Sequence, residues 1–528
     1  MHVWQRYYHA WLTDPRFVFG GIGFGVGGAG IMLMLANVFP LSAIDLIFFS
    51  VLFLLLALHR PNWGFLVLVA TLPLETVNML PTTFGFSLRP YQWLLVIVVC
   101  ALAFRSLSKR SMLTGLHIVP QDVWLALIPL GAILSGIISG GEGRHFAIII
   151  LSFYALYVLG RIFLRTAGDV EVAGSTLLSA GLASLGFGLF QNIAFENGSP
   201  VATVMPGRPN GTFAEPDWLG FFAVVMFFVL FSYLVRILNE QSEFSVHRLL
   251  RVAAVFLPIT IVMMTLILTV SRSAWLAAVI AFIVWLSITL YTRCVPIQSM
   301  LQSLQVTLIA FVVAIFIISD FSLTRFDLIN RAGSTATGLQ MITVACPTPT
   351  ALPAQIDSVE ELRDYGCRHI DLEERAPLAS EGQSIQTVER SDPNVVIRRE
   401  IYRLSWQTIR AHPLFGIGWG NIQTVLGQDG QGTAYNASNL WLEVWLGAGV
   451  FGLLGLAGSL GLMVFRGVRV LMTQKHQAQA RPNIVFLIAL LVAFFIFNLF
   501  NAGLLIGYVW IGFACVPALT QPKKAALL

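Results

Sequence analysis

The chain has 528 residues, of which 56% are apolar and only 11% charged, against about a quarter charged in an ordinary soluble domain. A packed core cannot absorb that excess, because a soluble domain still needs a hydrated surface; a lipid bilayer can. The net charge of +5 does not point to nucleic acid, since the basic residues are dispersed between apolar runs, as in membrane-topology signals.

A spanning helix needs roughly 20 apolar residues, with about 17–25 tolerated. Runs of this kind cover 17–38, 41–58, 63–80, 90–104, 122–139, 146–163, 172–194, 217–237, 252–271, 273–291, 303–320, 448–466, 484–501 and 504–520. They predict an all-α, polytopic transmembrane helical bundle of about 12–14 spans. One long external loop carries amphipathic helices. The expected division is an N-terminal bundle over 1–320, a large non-cytoplasmic loop over 321–436 and C-terminal transmembrane helices over 437–528. No cleavable signal peptide is expected, because the first run is long enough to remain as an anchor. That run is Gly-rich from Gly20 to Gly30, which suits close helix packing.

Alternating the connectors from a cytoplasmic N-terminus puts Arg6, Arg16, Arg60, Arg105, Lys109, Arg110, Arg161, Arg165, Arg236, Arg248, Arg251 and Arg293 on one side. Arg466, Arg469, Lys475, Arg481, Lys523 and Lys524 join them, while the short connectors opposite hold only Arg89, Arg144, Arg208 and Arg272. The positive-inside rule assigns the first side to the cytoplasm and the long loop to the outside of the cytoplasmic membrane. Cys346 and Cys367 share that loop, where a disulfide between them is open to formation.

The outer face holds polar groups that a bilayer protein usually avoids. Asp45 and Glu75 lie within apolar runs, where an ionisable group faces a cavity, finds a partner or snorkels to the interface. The connector 191–218 is punctuated by Gly and Pro and carries Arg208, Glu215 and Asp217. Asp217 either caps the helix that follows or faces a site. Arg272 is the single charge in some forty apolar positions, at the outer joint of two spans. A guanidinium there holds a lipid head group or, through paired donors, a phosphate-bearing substrate.

The loop is polar from 331 to 395, is punctuated by prolines and is expected to be loosely ordered in part. At its end, helical spacing gathers Ile397, Ile401, Leu404 and Thr408 on one face and Arg399, Arg403, Trp406 and Arg410 on another. Such a helix lies on the membrane surface, packs on the protein or lines a cleft with cations. Further on, Ser438 fits an N-cap, and Asn439 and Glu443 stand at i and i+4 on one helix face.

Four segments carry a resemblance: RPNGTFAEPDWLG (208–220), SRSAWLA (271–277), HPLFGIGWGN (412–421) and SNLWLEVWLGAGVFGLLG (438–455). In this order, with a long external loop, they resemble the O-antigen ligase and O-antigen polymerase superfamily of bacterial membrane glycosyltransferases. The resemblance covers roughly residues 120–510 by order of elements. It implies transfer of a glycan from a polyprenyl-diphosphate carrier at the outer leaflet to a glycan, lipid or protein hydroxyl, with inversion and with neither metal nor cofactor. It also implies that Arg208 and Arg272 hold the diphosphate; the helical stripe of Arg399, Arg403 and Arg410, together with Asn439, supplies further candidate substrate contacts. Where such proteins commonly carry His-Asn, this chain has Ser438-Asn439. Ser is no base at neutral pH, so Glu215, Asp217 or Glu443 is the candidate base, or leaving-group stabilisation carries the reaction. His412, in a His-Pro turn, reads as structural. Two other functions stand beside this one: a transporter of a small anion such as bicarbonate, with Asp45 and Glu75 along its path, and a non-catalytic assembly factor for envelope polysaccharide.

Overall fold

A computed structural model describes residues 14–81, 87–108, 117–205, 207–240, 246–324, 338–370, 374–428, 434–473 and 481–520. Every apolar run has its helix. The N-terminal series is α1 Pro15–Leu35, α2 Ala43–His59, α3 Pro61–Thr71, α4 Pro90–Leu107, α5 Pro120–Ser139, α6 Glu142–Phe163, α7 Ala167–Glu196, α8 Pro216–Asn239, α9 Val246–Leu268, α10 Arg272–Thr292 and α11 Ile297–Asp320. Among the described residues, ten helices are long and apolar enough to cross a membrane. α2, with 17 residues, sits at the lower limit of a span, and α3, with 11, falls below it. The 63–80 run is therefore not one helix. α3 stops at Thr71, and the chain continues without regular structure through a buried stretch holding Glu75.

The described part of the insert after α11 has regular structure. It folds as a small sheet of β1 Leu339–Cys346, β2 Gln355–Ile356, β3 Arg368–Ile370 and β4 Ser384–Ser391, in the order β2-β4-β1-β3. β1 pairs antiparallel with both β3 and β4, and β2 runs parallel to β4. Ile342, Val344, Ile356, Leu362 and Val388 form its own small core, and the pairing of β1 with β3 brings Cys346 and Cys367 into a disulfide. The strands of β2 and β3, at two and three residues, are too short to leave a period in the sequence. A short helix, α12 Arg375–Ser380, precedes β4. α13 Pro393–Ala411 then leads back to the bundle through α14 Ile422–Leu426, α15 Leu440–Thr473, α16 Arg481–Phe497 and α17 Gly507–Thr520.

Packing follows the small residues. Gly20, Gly23 and Gly27 of α1 lie against Ser175, Thr176 and Ala180 of α7; a Cβ on Gly23 would come within 2.4 Å of the Thr176 carbonyl. The backbones approach closely because nothing stands between them, which is how helices associate in lipid.

The two ends of the bundle differ. At one end Arg16 and Arg236 both reach Glu171, at 3.3 and 2.8 Å, Arg161 pairs with Asp122 at 3.1 Å, and Arg251 with Glu240 at 2.7 Å. The connectors 36–42, 72–89, 197–215, 269–271 and 498–506 meet at the other end, with the insert. There the Leu41 N–H donates to the Met79 carbonyl, Thr76 N–H to Thr212, and the Asn439 amide to Leu499. The structure thus segregates the cations as the alternation of connectors requires. Arg6, Lys109, Arg110, Lys475, Lys523 and Lys524 lie outside the described residues.

Candidate functional site

The site grows from the turn 207–213. Gly207 and Gly211 take positive φ of 68° and 57°, which lets the chain double back sharply. Gln191 of α7 fixes the turn from below, accepting from Gly211 N–H at 2.7 Å and donating to the Gly211 carbonyl at 3.3 Å. The Asn210 amide closes it on the Phe213 carbonyl at 2.7 Å. Arg208 is thereby aimed at the joint between α9 and α10. Its Nε donates to the Thr269 carbonyl at 2.8 Å, and its Nη2 lies 3.4 Å from the Asp217 carboxylate.

That joint is three residues long. Val270 has a φ of 51°, and the Ser271 hydroxyl caps the Ala274 N–H, so that Arg272 becomes the first residue of α10. Its Nη1 pairs at 2.9 Å with Asp392, a carboxylate 2% exposed that lies between β4 and α13. Arg208 and Arg272 therefore flank one helix break, each balanced by a carboxylate. Asp217 is in the first turn of α8 and pairs with Arg208, so it does more than favour the helix dipole.

Glu215 is the N-cap residue of α8 ahead of Pro216, yet its side chain makes no capping bond. It is half-buried beside the Arg208–Asp217 pair. Burial first, and the Asp217 charge second, push its pKa up to about 7, with Arg208 opposing. Near neutrality a carboxyl so placed both takes and gives a proton.

Across the site the expected N-cap shifts by one residue. Ser438 takes a φ of 48° and donates its N–H to the Asn436 side chain at 2.8 Å, while the helix is capped by Asn439. The Asn439 side-chain oxygen accepts from Trp441 and Leu442 N–H at 3.0 and 3.2 Å. A positive φ at Ser438 turns its side chain out of capping geometry, and Asn at the next position does the work. Glu443, 8% exposed, accepts from the Ala437 N–H at 2.7 Å, which fixes the turn into α15. The 412–421 turn is structural, as its composition suggests: Ile417 N–H donates to the Leu446 carbonyl at 2.7 Å, and Val450 N–H to that of Leu414 at 3.1 Å. It holds a break in α15 at Gly449, whose φ of 64° and ψ of −162° are open to Gly alone.

α13 packs Ile401, Ser405 and Ile409 on the bundle and leaves Ile397 exposed, one step off the expected face. The expected cationic stripe points away from this packing. Arg399, Arg403 and Arg410 are exposed, Arg403 pairs with Glu400 at 2.5 Å, and Arg410 lies over the Trp406 ring at 5.4 Å. The neighbouring Arg398 is the one turned inward, toward the Phe500 carbonyl at 3.4 Å and the Phe500 ring at 5.9 Å. Next to it, the Asn501 amide donates to Ser273, one residue past Arg272, at 2.9 Å. The Tyr402 hydroxyl donates to the Ser438 carbonyl at 3.3 Å. Sequence reasoning missed Arg398, Asp392, Tyr402 and Asn501. A face drawn from Ile401, Ser405 and Ile409 would have found Arg398; nothing local marks Asp392 or Asn501. Asp45 is exposed and hydrogen-bonded to Ser42, and Glu75 is buried against Arg89 at 2.9 Å rather than snorkelled.

Residues 254–457 match the family model described as O-Antigen ligase. The matched stretch contains Arg272, the insert, the 412–421 turn, Ser438, Asn439 and Glu443, and leaves the Arg208 turn outside it. No curated protein matches the chain.

Proposed function

We propose that this multi-pass membrane protein, whose residues 254–457 match the O-antigen ligase family model, serves glycan ligation or polymerisation with a polyprenyl-diphosphate-linked glycan as its donor. The acceptor hydroxyl oxygen bonds to the anomeric carbon while the bond from that carbon to the diphosphate oxygen breaks. The electron pair leaves with the diphosphate, and the configuration inverts. Negative charge grows on the leaving group, and Arg208 and Arg272 meet it with paired donors in a water-poor setting. The observation that carries this reading is the bond from Arg208 Nε to the Thr269 carbonyl, which draws both guanidiniums to one helix break.

The hydroxyl proton passes to Glu215. Of the three candidate carboxylates, Asp217 is engaged by Arg208 and Glu443 by the Ala437 N–H, while Glu215 makes no capping bond and lies beside the Arg208–Asp217 pair. Ser438 and Asn439 shape the acceptor side without serving as base, and Arg398 replaces Arg399, Arg403 and Arg410 as the inward cation. The step as written uses arginine charge in place of a metal. The reaction runs at the outer face of the cytoplasmic membrane. The clustering of cations at the opposite end and the disulfide within the insert support that orientation. No observation favours anion transport.

The test is transfer in proteoliposomes from a lipid-linked oligosaccharide to acceptor. Arg208→Ala and Arg272→Ala are expected to lower it by about 10²–10³-fold per folded molecule while still inserting, with some loss of stability in Arg272→Ala because the buried Asp392 loses that partner. Wild-type transfer in both would remove the diphosphate role.

A further inference from the structure

Glu75 is the most deeply buried carboxylate at the insert end, and the reaction as written gives it nothing to do. Its side chain is 1% exposed and receives three donors: Arg89 Nη1 at 2.9 Å, the Tyr91 hydroxyl at 3.2 Å, and the Gly507 N–H at 3.0 Å, with Arg89 itself bonded to Tyr91 at 2.8 Å. Arg89 Nη1 also donates to the Leu505 carbonyl at 3.1 Å. A pair this costly to desolvate is poor evidence of stability alone, since apolar residues of the same volume often serve as well.

Its neighbours give it a second meaning. On one side, Thr76 donates both its N–H and its hydroxyl to the Thr212 carbonyl, at 3.0 and 3.2 Å, and Thr212 returns its hydroxyl to the Pro73 carbonyl at 2.6 Å. Those bonds grip the turn that aims Arg208. On the other side, Leu505 and Gly507 end the connector 498–506, which carries Asn501 against Ser273, Phe500 against Arg398, and the Leu499 carbonyl against Asn439. We infer that the buried Glu75–Arg89 pair is a positioning pair for the transfer site, clamping the Arg208 turn and the 498–506 connector in one register. The inference rests on the proposed role of Arg208 for its kinetic consequence, but not for its structural one.

A matched control exists at the opposite end. Asp122 accepts from Arg161 at 3.1 Å, from the Tyr157 hydroxyl at 2.5 Å and from the Val119 N–H at 2.8 Å, and it touches neither the turn nor the connector. Glu75→Gln and Asp122→Asn are therefore compared in the full-length, membrane-reconstituted chain. Hydrogen exchange is read first, because it needs no turnover. Glu75→Gln is expected to speed exchange roughly tenfold in peptides covering 207–215 and 498–507, and Asp122→Asn to leave both peptides unchanged. In the transfer assay Glu75→Gln is expected to raise the donor KM about tenfold with the acceptor KM unchanged, as misplaced donor-holding groups do. Equal exchange in the two variants overturns the inference, as does a Glu75→Gln enzyme with slowed turnover but an unaltered donor KM. An exchange difference without transfer by the wild type would leave the clamp standing and remove the glycan-transfer reading.

Discussion

Two carboxylates, the buried Glu75 and the partly buried Asp122, have the same set of partners: an arginine, a tyrosine and a backbone N–H. The hydrogen-bond partners of Asp122 lie between residues 119 and 161, so the group ties together a neighbouring pair of helices. The partners of Glu75 run from 89 to 507 and bind connectors that are remote in sequence. Identical chemistry therefore performs local stapling at the arginine-rich end and long-range alignment at the insert end. A buried ion pair declares its role by what else its partners hold.

The sharpest way to break this contrast is to remove one arginine from each end. Arg272→Ala is expected to lower kcat by about 10²–10³, the scale of losing a donor aimed at developing charge. Arg161→Ala should instead cost about 1–3 kcal/mol of stability, by removing a charged donor from the partly buried Asp122, while kcat per folded molecule stays at the wild-type value. Thermal unfolding read beside turnover separates them, and a comparable loss of kcat in Arg161→Ala would end the division between the two ends. Gly449→Ala comes next. Its Cβ would lie 2.1 Å from the Leu414 carbonyl, in a backbone region reserved for Gly. A loss of about 3 kcal/mol or more in the unfolding free energy is expected.

The pH dependence is a smaller and more pointed test. Glu215 titrates at about 7 and acts when deprotonated, so transfer falls as pH drops through 7. A Glu215→Gln enzyme should run slower by about 10²-fold or more and lose that inflection; an unchanged profile would reassign the base. The same shift makes the folded chain hold a proton that the unfolded chain releases between 4.5 and about 7. Its contribution to stability therefore declines as pH rises across that window. The smallest effect belongs to Arg403→Ala, expected to transfer at the wild-type rate because its side chain is exposed and pairs only with Glu400 among the described residues. A clear loss there would bring the outer stripe of α13 back into the site.

The spans were legible because twenty apolar residues in succession have one physical outcome in a bilayer. Arg208, Arg272, Glu215 and Asp217 stood out for a related reason: charge is scarce on that face, so each instance has to be explained. The insert resisted reading because its sheet is held by one long antiparallel pair, two fragments of strand and a disulfide, none of which has a sequence period. The cap at Asn439 was misjudged because Ser438 is the usual choice by composition, and only its positive φ disqualifies it. Asp392 and Asn501 were invisible for a deeper reason. Their roles are set by groups 120 and 228 residues away, and no local rule spans that distance.

The bond from Gly507 N–H to Glu75 joins residues 432 positions apart. At about 5–20 residues per second, the chain between them takes roughly 20–90 s to synthesise. Arg89 is made within seconds of Glu75, so its charge partner is available early, while the Gly507 donor follows only after that interval. Helix α17 supplies the missing donor. Only then are the Arg208 turn and the 498–506 connector in register, so a truncated product would reach the membrane with its arginines present and their alignment lacking.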